Sequence, residues 1–130
     1  MIRENDAFPR IIVKTHRDLD VWKDGIALVK LVYGFTSQLP QHEQFGLVSQ
    51  MRRAAISIPS NIAEGAARSS RIEFARFVSI ARGSIAELET QFIIVVELGY
   101  VNDAEGILEH VHRLYARLNK LHATLVSEPR

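Results

Sequence analysis

Apolar residues recur at alternating steps of three and four along three segments of the chain. The three series are Val48, Met51, Ala55, Ile58 and Ile62, then Phe74, Val78, Ala81, Ile85, Leu88, Phe92 and Val95, and last Ile107, Val111, Leu114, Leu118, Leu121 and Leu125. This spacing puts apolar side chains on one face of an α-helix, and a sustained 3.5-residue repeat is typical of helices packed in a bundle. No segment of useful length alternates with the two-residue period of a strand.

These series, with a fourth apolar segment near the N-terminus, predict helices over about residues 20–38, 43–67, 70–98 and 103–126. Gly83, within the third helix, is expected to permit a close approach of a neighbouring helix. Candidate capping residues are Asp18 or Asp20, Ser69 or Ser70, Asn102 or Asp103, and Gly99 as a C-terminal stop. Connections of a few residues make successive helices antiparallel neighbours. The sequence therefore predicts an all-α, antiparallel up-down-up-down four-helix bundle at residues 19–127, preceded by an N-terminal arm at residues 1–18.

The first predicted helix carries apolar residues on two faces. One stripe holds Trp22, Ile26, Val29 and Tyr33, and a second holds Val21, Leu28, Val32, Phe35 and Leu39. A bundle helix normally needs one apolar face, so the wider surface favours burial on both sides. The alternative is a helix seated deep within its own bundle. We expect an oligomer interface on this helix, with the candidate residues Val21, Trp22, Leu28, Val32 and Phe35.

The composition is that of an ordinary folded protein. The length of 130 residues fits a single domain, and 47% of the residues are hydrophobic. The absence of Cys excludes a disulfide scaffold, a thiol nucleophile and a Cys-ligated metal site. No apolar run approaches the ~18–20 residues that span a bilayer, and the N-terminal MIRENDAFPR lacks the apolar stretch of a signal peptide. We expect a soluble, cytoplasmic protein without a membrane partner.

The 16 basic and 15 acidic side chains give a formal net charge of +1, but they are distributed unevenly. Residues 52–82 hold six arginines and two glutamates, whereas residues 83–109 hold six acidic residues and no Lys or Arg. Such an asymmetry can matter for binding where net charge does not. The six arginines are therefore candidate nucleic-acid-binding residues: Arg52, Arg53, Arg68, Arg71, Arg76 and Arg82.

Arginine suits a phosphate partner because its guanidinium donates two parallel hydrogen bonds. The arginines from Arg68 onward lie at and after the predicted turn between the second and third helices, where we expect a basic patch. Arg52 and Arg53 have a structural alternative, an ion pair with Glu87 or Glu89 on the third helix. An ordinary solvated face is the alternative for the whole patch, which lacks an aromatic stacking ladder.

The segment at residues 57–65 places Pro59 inside the second predicted helix. Proline lacks an N–H and crowds the carbonyl four residues back, so this helix is expected to kink or break there. The surrounding polar residues either stabilise the kink, with Asn61 and Glu64 at capping-box spacing for a restarted helix, or form a surface that a partner recognises. The candidate residues for these two roles are Ser57, Pro59, Ser60, Asn61, Glu64 and Gly65.

Residues suited to catalysis or metal binding are sparse. The chain has neither a glycine-rich phosphate loop nor a nucleophile elbow. Glu109 and His112 form one Glu-x-x-His pair, the ligand spacing of di-iron bundles, but no second pair exists. His110 and His112 point to opposite sides of a helix. We expect no enzyme activity, no metal and no cofactor.

Several motifs occur in a fixed order along the chain. They are Asp-Leu-Asp-Val-Trp at 18–22, Ser-Gln-Met-Arg-Arg-Ala-Ala at 49–55, Ser-Ile-Pro-Ser-Asn-Ile-Ala-Glu-Gly at 57–65, Glu-Phe-Ala-Arg-Phe at 73–77, Gly-Ser at 83–84, Glu-Leu-Glu-Thr-Gln at 87–91 and Leu-Gly-Tyr at 98–100. Over about residues 17–125 the chain resembles the four-helix-bundle family of 23S rRNA intervening-sequence proteins. It departs from the family pattern in a longer N-terminal arm and in Ala66 and Ala67, where an aromatic residue is common.

The resemblance implies a bacterial cytosolic bundle that assembles as a ring-shaped homopentamer, and it assigns no biochemical activity. The related accessory proteins of diversity-generating retroelements share the fold and bind nucleic acid and a reverse transcriptase. By this analogy in fold, we expect a non-enzymatic oligomer that binds RNA or structured DNA through arginine–phosphate contacts. The alternative function is a ring-shaped scaffold or adaptor for a protein partner such as a polymerase.

Overall fold

The computed structural model describes residues 16–127 of the chain. Its four α-helices are α1 at Asp20–Thr36, α2 at Ser49–Ala66, α3 at Arg71–Glu97 and α4 at Glu105–Val126. Each helix packs against the next one in sequence, and α4 packs against α1, which closes a four-sided bundle. No strand occurs within residues 16–127. The predicted all-α four-helix architecture is confirmed.

Contacts between α3 and α4 show the relative direction of these two helices. Arg71, at the start of α3, contacts Thr124 near the end of α4. Glu89, two-thirds of the way along α3, contacts His112 in the first half of α4. Early residues of one helix thus meet late residues of the next, so α3 and α4 are antiparallel, as short connections favour.

The core face of α1 is buried within the single chain. Leu28 and Val32 have no exposed surface, and Val21 retains 7%. The prediction that these three residues lie at an oligomer interface is therefore wrong, because the bundle itself removes them from solvent. Phe35 is partly buried and packs edge-to-face on Phe92, with ring centroids 4.9 Å apart.

The other stripe of α1 lies at the surface. Ile26 and Tyr33 are 39% and 40% exposed, whereas Trp22 and Val29 are partly buried against the core. The prediction of a helix with two apolar faces thus holds, but only this outer stripe is open to a partner. Oligomer formation itself stays a prediction.

The connection before α2 is less regular than the sequence pattern predicts. A 3-10 turn at Gln41–Glu43 and a π-helical turn at Gln44–Val48 precede the α-helix. Gly46 departs from helical geometry, with φ −112° and ψ −106°, and the Glu43 carboxylate accepts a hydrogen bond from the Leu47 N–H. The regular helix consequently begins at Ser49, six residues later than predicted.

Pro59 lies inside α2, and the helix is continuous through it from Ser49 to Ala66. A break with a helix restarted at Asn61 does not occur, so the predicted capping role of Asn61 and Glu64 is wrong. The proline ring packs against α1 at Gly25, where an added Cβ would lie 3.3 Å from the Pro59 Cβ. A buried Pro59 in tight contact with α1 is held by tertiary packing, which outweighs its local preference.

Two glycines near α3 have opposite environments. A Cβ on Gly65 would lie 2.7 Å from the Phe77 Cβ and 3.2 Å from the Phe74 carbonyl oxygen, so a hydrogen at this position lets α2 approach α3. Gly83 has no atom within 4 Å of a built Cβ. The predicted packing role of Gly83 is wrong, and Gly65 fills that role.

The ends of α3 follow the predicted caps. The Ser70 hydroxyl accepts a hydrogen bond from the Glu73 N–H at 3.1 Å. Gly99, with φ +79°, follows the helix, and the Gly99 and Tyr100 N–H groups donate to the Val96 and Val95 carbonyls. This is a Schellman motif, in which glycine avoids the steric cost of positive φ. The predicted stop at Gly99 is confirmed.

The predicted N-terminal arm falls mostly outside the described residues, which begin at residue 16. His16–Asp18 form a 3-10 turn that contacts α1 and α2. The His16 ring packs edge-on against Trp22 at a centroid distance of 5.2 Å. The last three residues of the predicted arm are thus part of the bundle. Among residues 16–127, no helix has the length and hydropathy to cross a membrane.

Candidate nucleic-acid interface

The six predicted arginines do not form one patch. Arg53 is near the start of α2, about 20 Å along the helix axis from its last turn. Arg82 lies about 16 Å along α3 from Arg71. Of the six, Arg68, Arg71 and Arg76 lie at and just after the turn between α2 and α3. We call these three residues the turn cluster.

Arg52 binds the end of α1 rather than pointing freely into solvent. Its Nε donates to the buried Thr36 hydroxyl at 2.9 Å, and its Nη2 donates to the Tyr33 carbonyl at 3.3 Å. The guanidinium also lies 4.3 Å from the centre of the Tyr33 ring. A cation here complements the negative end of the α1 dipole. These contacts assign Arg52 to the fold.

Arg82 is similarly engaged, and Arg53 is exposed but isolated. Arg82 donates to the Asn119 side chain on α4 and to the Ser79 hydroxyl, both at 3.0 Å. The predicted ion pair from Arg52 or Arg53 to α3 does not form among the described residues. Glu89 instead contacts His112 at 2.8 Å, and Glu87 accepts a hydrogen bond from Gln91.

The arginines of the turn cluster are exposed, and each contacts the protein. Arg68 pairs with Glu64 at 3.1 Å and lies 4.7 Å from the centre of the Phe77 ring. Arg76 pairs with Glu73 at 3.4 Å and stays 67% exposed. Arg71 donates to the Thr124 carbonyl at 2.9 Å. Exposed ion pairs of this kind contribute ~0–1 kcal/mol, so a phosphate can compete for these guanidiniums.

Antiparallel packing turns the charge asymmetry of the sequence into an asymmetry of the bundle. Gly25 packs on Pro59, and Arg82 contacts Asn119, so these residues mark one level across the bundle. The positive half comprises residues 16–24, 59–82 and 118–127, with seven basic and five acidic side chains, a formal +2. The negative half comprises residues 25–58 and 83–117, with five basic and seven acidic side chains, a formal −2. The turn cluster lies at the positive half, which attracts anions.

The predicted set of basic residues leaves out three cations of α4: Arg113, Arg117 and Lys120. All three are exposed. Arg117 forms an ion pair with Asp24 on α1, whereas Arg113 and Lys120 make no hydrogen bond or ion pair within residues 16–127. Their spacing of four and three is visible in the sequence, but all three lie beyond residue 109, where the compared segments end.

The polar residues of the segment around Pro59 divide into an inner and an outer group. Ser57 contacts the Ser84 hydroxyl on α3, and Asn61 donates to the Ser57 carbonyl at 2.8 Å. Ser60 and Glu64 are exposed. The inner pair supports helix packing, which favours the structural interpretation for Ser57 and Asn61, and the outer pair remains on the surface.

At the negative half, Glu43 links the connection before α2 to the turn after α3. The Tyr100 hydroxyl donates to its carboxylate at 2.8 Å. This hydrogen bond, with the Leu47 N–H, lowers the pKa of Glu43, and the same bond raises the pKa of Tyr100. The His42 ring lies 3.2 Å from the Tyr100 hydroxyl. The arrangement therefore joins the two connections.

A surface cleft of about 350 Å³ lies beside this connection. Its lining residues are Thr36, Ser37, Leu39, Pro40, Gln41, Gln44, Val48 and Arg52. Arg52 is the cation among them and already donates to α1. Within residues 16–127, no group of three or more His, Asp or Glu side chains is placed to hold a metal ion.

Comparison with known proteins identifies the family. The family model described as 23S rRNA-intervening sequence protein matches residues 17–126. No curated protein sequence matches the chain. The matched region includes all four helices and all three arginines of the turn cluster. The chain belongs to the 23S rRNA-intervening sequence protein family.

Proposed function

We propose that this protein is a non-enzymatic, oligomeric nucleic-acid-binding protein that contacts backbone phosphates. The supporting observation is the turn cluster, where Arg68, Arg71 and Arg76 lie exposed in the positive half of the bundle. The contacts are to phosphates rather than bases, so sequence specificity is low. A bacterial, cytoplasmic location belongs to the same proposal and rests on the family resemblance.

Oligomer formation is supported by two separate apolar surfaces. The outer stripe of α1 includes the exposed Ile26, and the outer face of α3 includes Ile72 at 65% and Ile80 at 49% exposure. Two different surfaces that bind each other form a heterologous contact, which closes into a ring when the rotation permits. A pentameric ring would present five turn clusters, and this multivalency raises avidity without new contacts.

Ile26→Glu and Ile80→Glu, each of which disrupts one of the two apolar surfaces, test whether these surfaces bind each other. Light scattering is expected to show a pentamer for the unaltered chain and a monomer for each variant alone. A mixture of the two variants is expected to form dimers, because each retains the surface that the other has lost. A dimer formed by either variant alone would instead indicate that like surfaces pair.

Nucleic-acid binding is tested by fluorescence anisotropy over a range of salt concentrations. On a single strand, the slope of log affinity against log salt is about −0.7 per neutralised phosphate. We expect Arg68→Gln with Arg76→Gln to reduce the slope and the affinity. Lys30→Glu, in the negative half, changes the net charge by the same two units and serves as the control. Equal effects of both variants would exclude the turn cluster, and no binding at low salt would exclude the function.

A protein scaffold is the second candidate function, favoured by Phe45. This side chain is 93% exposed on the π-helical turn before α2. An aromatic ring presented in this way is typical of an anchor for a protein partner. The scaffold predicts no salt-sensitive nucleic-acid binding and a specific protein partner whose binding is lost in Phe45→Ser.

A further inference from the structure

The outer face of α4 carries a line of cations. Arg113, Arg117 and Lys120 follow one another at steps of four and three, so they fall within a sector of about 60° around the helix axis. All three are exposed. Glu105 and Glu109 precede them on the same helix, which confines the positive charge to the second half of α4.

Two of these cations are not neutralised by any side chain within residues 16–127. Arg117 pairs with Asp24 on α1. Arg113 and Lys120 have no hydrogen-bond or ion-pair partner in the part of the chain that the structure describes. Arg117 alone accounts for the ion pair between α4 and α1. The charges of Arg113 and Lys120 have no such role and are available to an external anion.

Arg71 joins this line to the turn cluster. Its Nη2 donates to the carbonyl of Thr124, which lies in the same sector of α4 one turn beyond Lys120. The distance along the axis from Arg113 to Thr124 is about 16 Å. Arg71 therefore adds a fourth cation at the end of α4, next to this line.

We infer that Arg113, Arg117, Lys120 and Arg71 form a track for the phosphodiester backbone of a nucleic-acid strand. This inference rests on the proposed function and extends it to a second surface. The occupant follows from charge complementarity, because a row of separate cations matches the regular phosphates of one strand. Ala116 and Ala123 occupy the neighbouring outward positions of α4. The cations of the track contact phosphates, which carry no base identity, so the track recognises the backbone regardless of base sequence.

The test compares an exposed lysine inside the track with an exposed lysine outside it. Lys120→Gln, Arg113→Gln and the double variant each remove charge from the track, and Lys30→Gln removes one charge from an exposed position of α1 in the negative half. The probes are a fluorescein-labelled oligo-U RNA and an oligo-dT DNA of equal length. Circular dichroism and light scattering check that helix content and oligomeric state are unchanged in every variant.

Each lost phosphate contact is expected to reduce the salt slope by about 0.7 and, at 0.1 M salt, the affinity by about five-fold. The double variant is therefore expected to bind about 25-fold more weakly, equally for RNA and DNA, while Lys30→Gln stays within two-fold of the unaltered protein. The RNA and DNA arms separate a backbone track, which treats both alike, from recognition of the sugar.

Three outcomes would overturn the inference. If the unaltered chain binds with a salt-dependent affinity but the double variant behaves like Lys30→Gln, the track is wrong and the proposed function stands. If the loss is confined to RNA or to DNA, backbone-only recognition is wrong. If the unaltered chain binds neither probe at low salt, the proposed function fails, and the track fails with it.

Discussion

The Ser57 hydroxyl oxygen lies 2.5 Å from the Ser84 hydroxyl oxygen across the contact between α2 and α3. The Asn61 side-chain amide donates to both the Ser57 carbonyl and the Ser57 hydroxyl, at 2.8 and 3.2 Å. All three side chains are partly buried. Two motifs that are 27 residues apart in the sequence thus meet in one polar cluster. The cluster fixes how α2 and α3 pack.

The contribution of this cluster is measurable in a double-mutant cycle. Ser57→Ala and Ser84→Ala are each expected to lower the free energy of unfolding by about 1 kcal/mol, because each removes the hydrogen bond between the two hydroxyls. The double variant should lose less than the sum. Urea unfolding gives the three values, and Ser60→Ala, on the exposed side of α2, serves as a control with an effect below about 0.5 kcal/mol. Additive losses would contradict the coupling.

Adjacent arginines on α2 are expected to behave differently. Arg52→Ala removes two hydrogen bonds to the end of α1 and the contact with the Tyr33 ring. We expect the free energy of unfolding to fall by about 1–2 kcal/mol. Arg53→Ala, one residue away and exposed, should change it by less than about 0.5 kcal/mol. Urea unfolding of both variants makes the comparison, and equal losses would show that the α1 contacts of Arg52 contribute nothing.

Glycine-to-alanine changes should have opposite signs at two positions. Gly65→Ala would place a Cβ 2.7 Å from the Phe77 Cβ, and the resulting overpacking is expected to cost about 1–3 kcal/mol of stability. Gly83→Ala meets no atom within 4 Å, so it should gain up to about 1 kcal/mol from helix propensity. Thermal unfolding measures the sign of the stability change for both variants. Stabilisation by Gly65→Ala would refute the close approach of α2 and α3.

The Glu43–Tyr100 hydrogen bond predicts a pH-dependent stability. The folded pKa of Glu43 is lowered, so its contribution is fully present above the ordinary carboxyl value of 4.5 and is lost as pH falls through the folded value. The folded pKa of Tyr100 is raised, so its contribution is fully present below the ordinary value of 10.0 and is lost as pH rises through the folded value. The stability difference from Tyr100→Phe should therefore be constant near neutral pH and shrink at both extremes.

Urea midpoints measured from pH 3 to pH 11 give this profile. Tyr115→Phe is the matched control, since Tyr115 is exposed on α4 and makes no hydrogen bond within residues 16–127. Its stability difference is expected to stay flat with pH. If the stability difference between Tyr100→Phe and the unaltered chain is also independent of pH, the hydrogen bond does not form in solution.

The helices and the core were predictable from the sequence because both depend on local periodicity. Every apolar residue of the α3 series from Val78 to Val95 is buried. Gly99 ended α3 as predicted, since positive φ after a helix is a local property of glycine. The start of α2 was not predictable in this way, because the π-helical turn before it is stabilised by Glu43, whose carboxylate is held by Tyr100 from a distant connection.

The candidate site depended on tertiary contacts. From the sequence, the six arginines are equivalent candidates for phosphate contact, but the Arg52 and Arg82 guanidiniums form hydrogen bonds to neighbouring helices. The predicted basic region ended at Arg82, whereas antiparallel packing places Lys120 of α4 level with the first half of α3, since its neighbour Asn119 contacts Arg82. The sequence by itself thus determined four amphipathic helices and an uneven charge, through local spacing. Only the tertiary structure decided which charges are free and which lie together, because both depend on contacts between residues far apart in the chain.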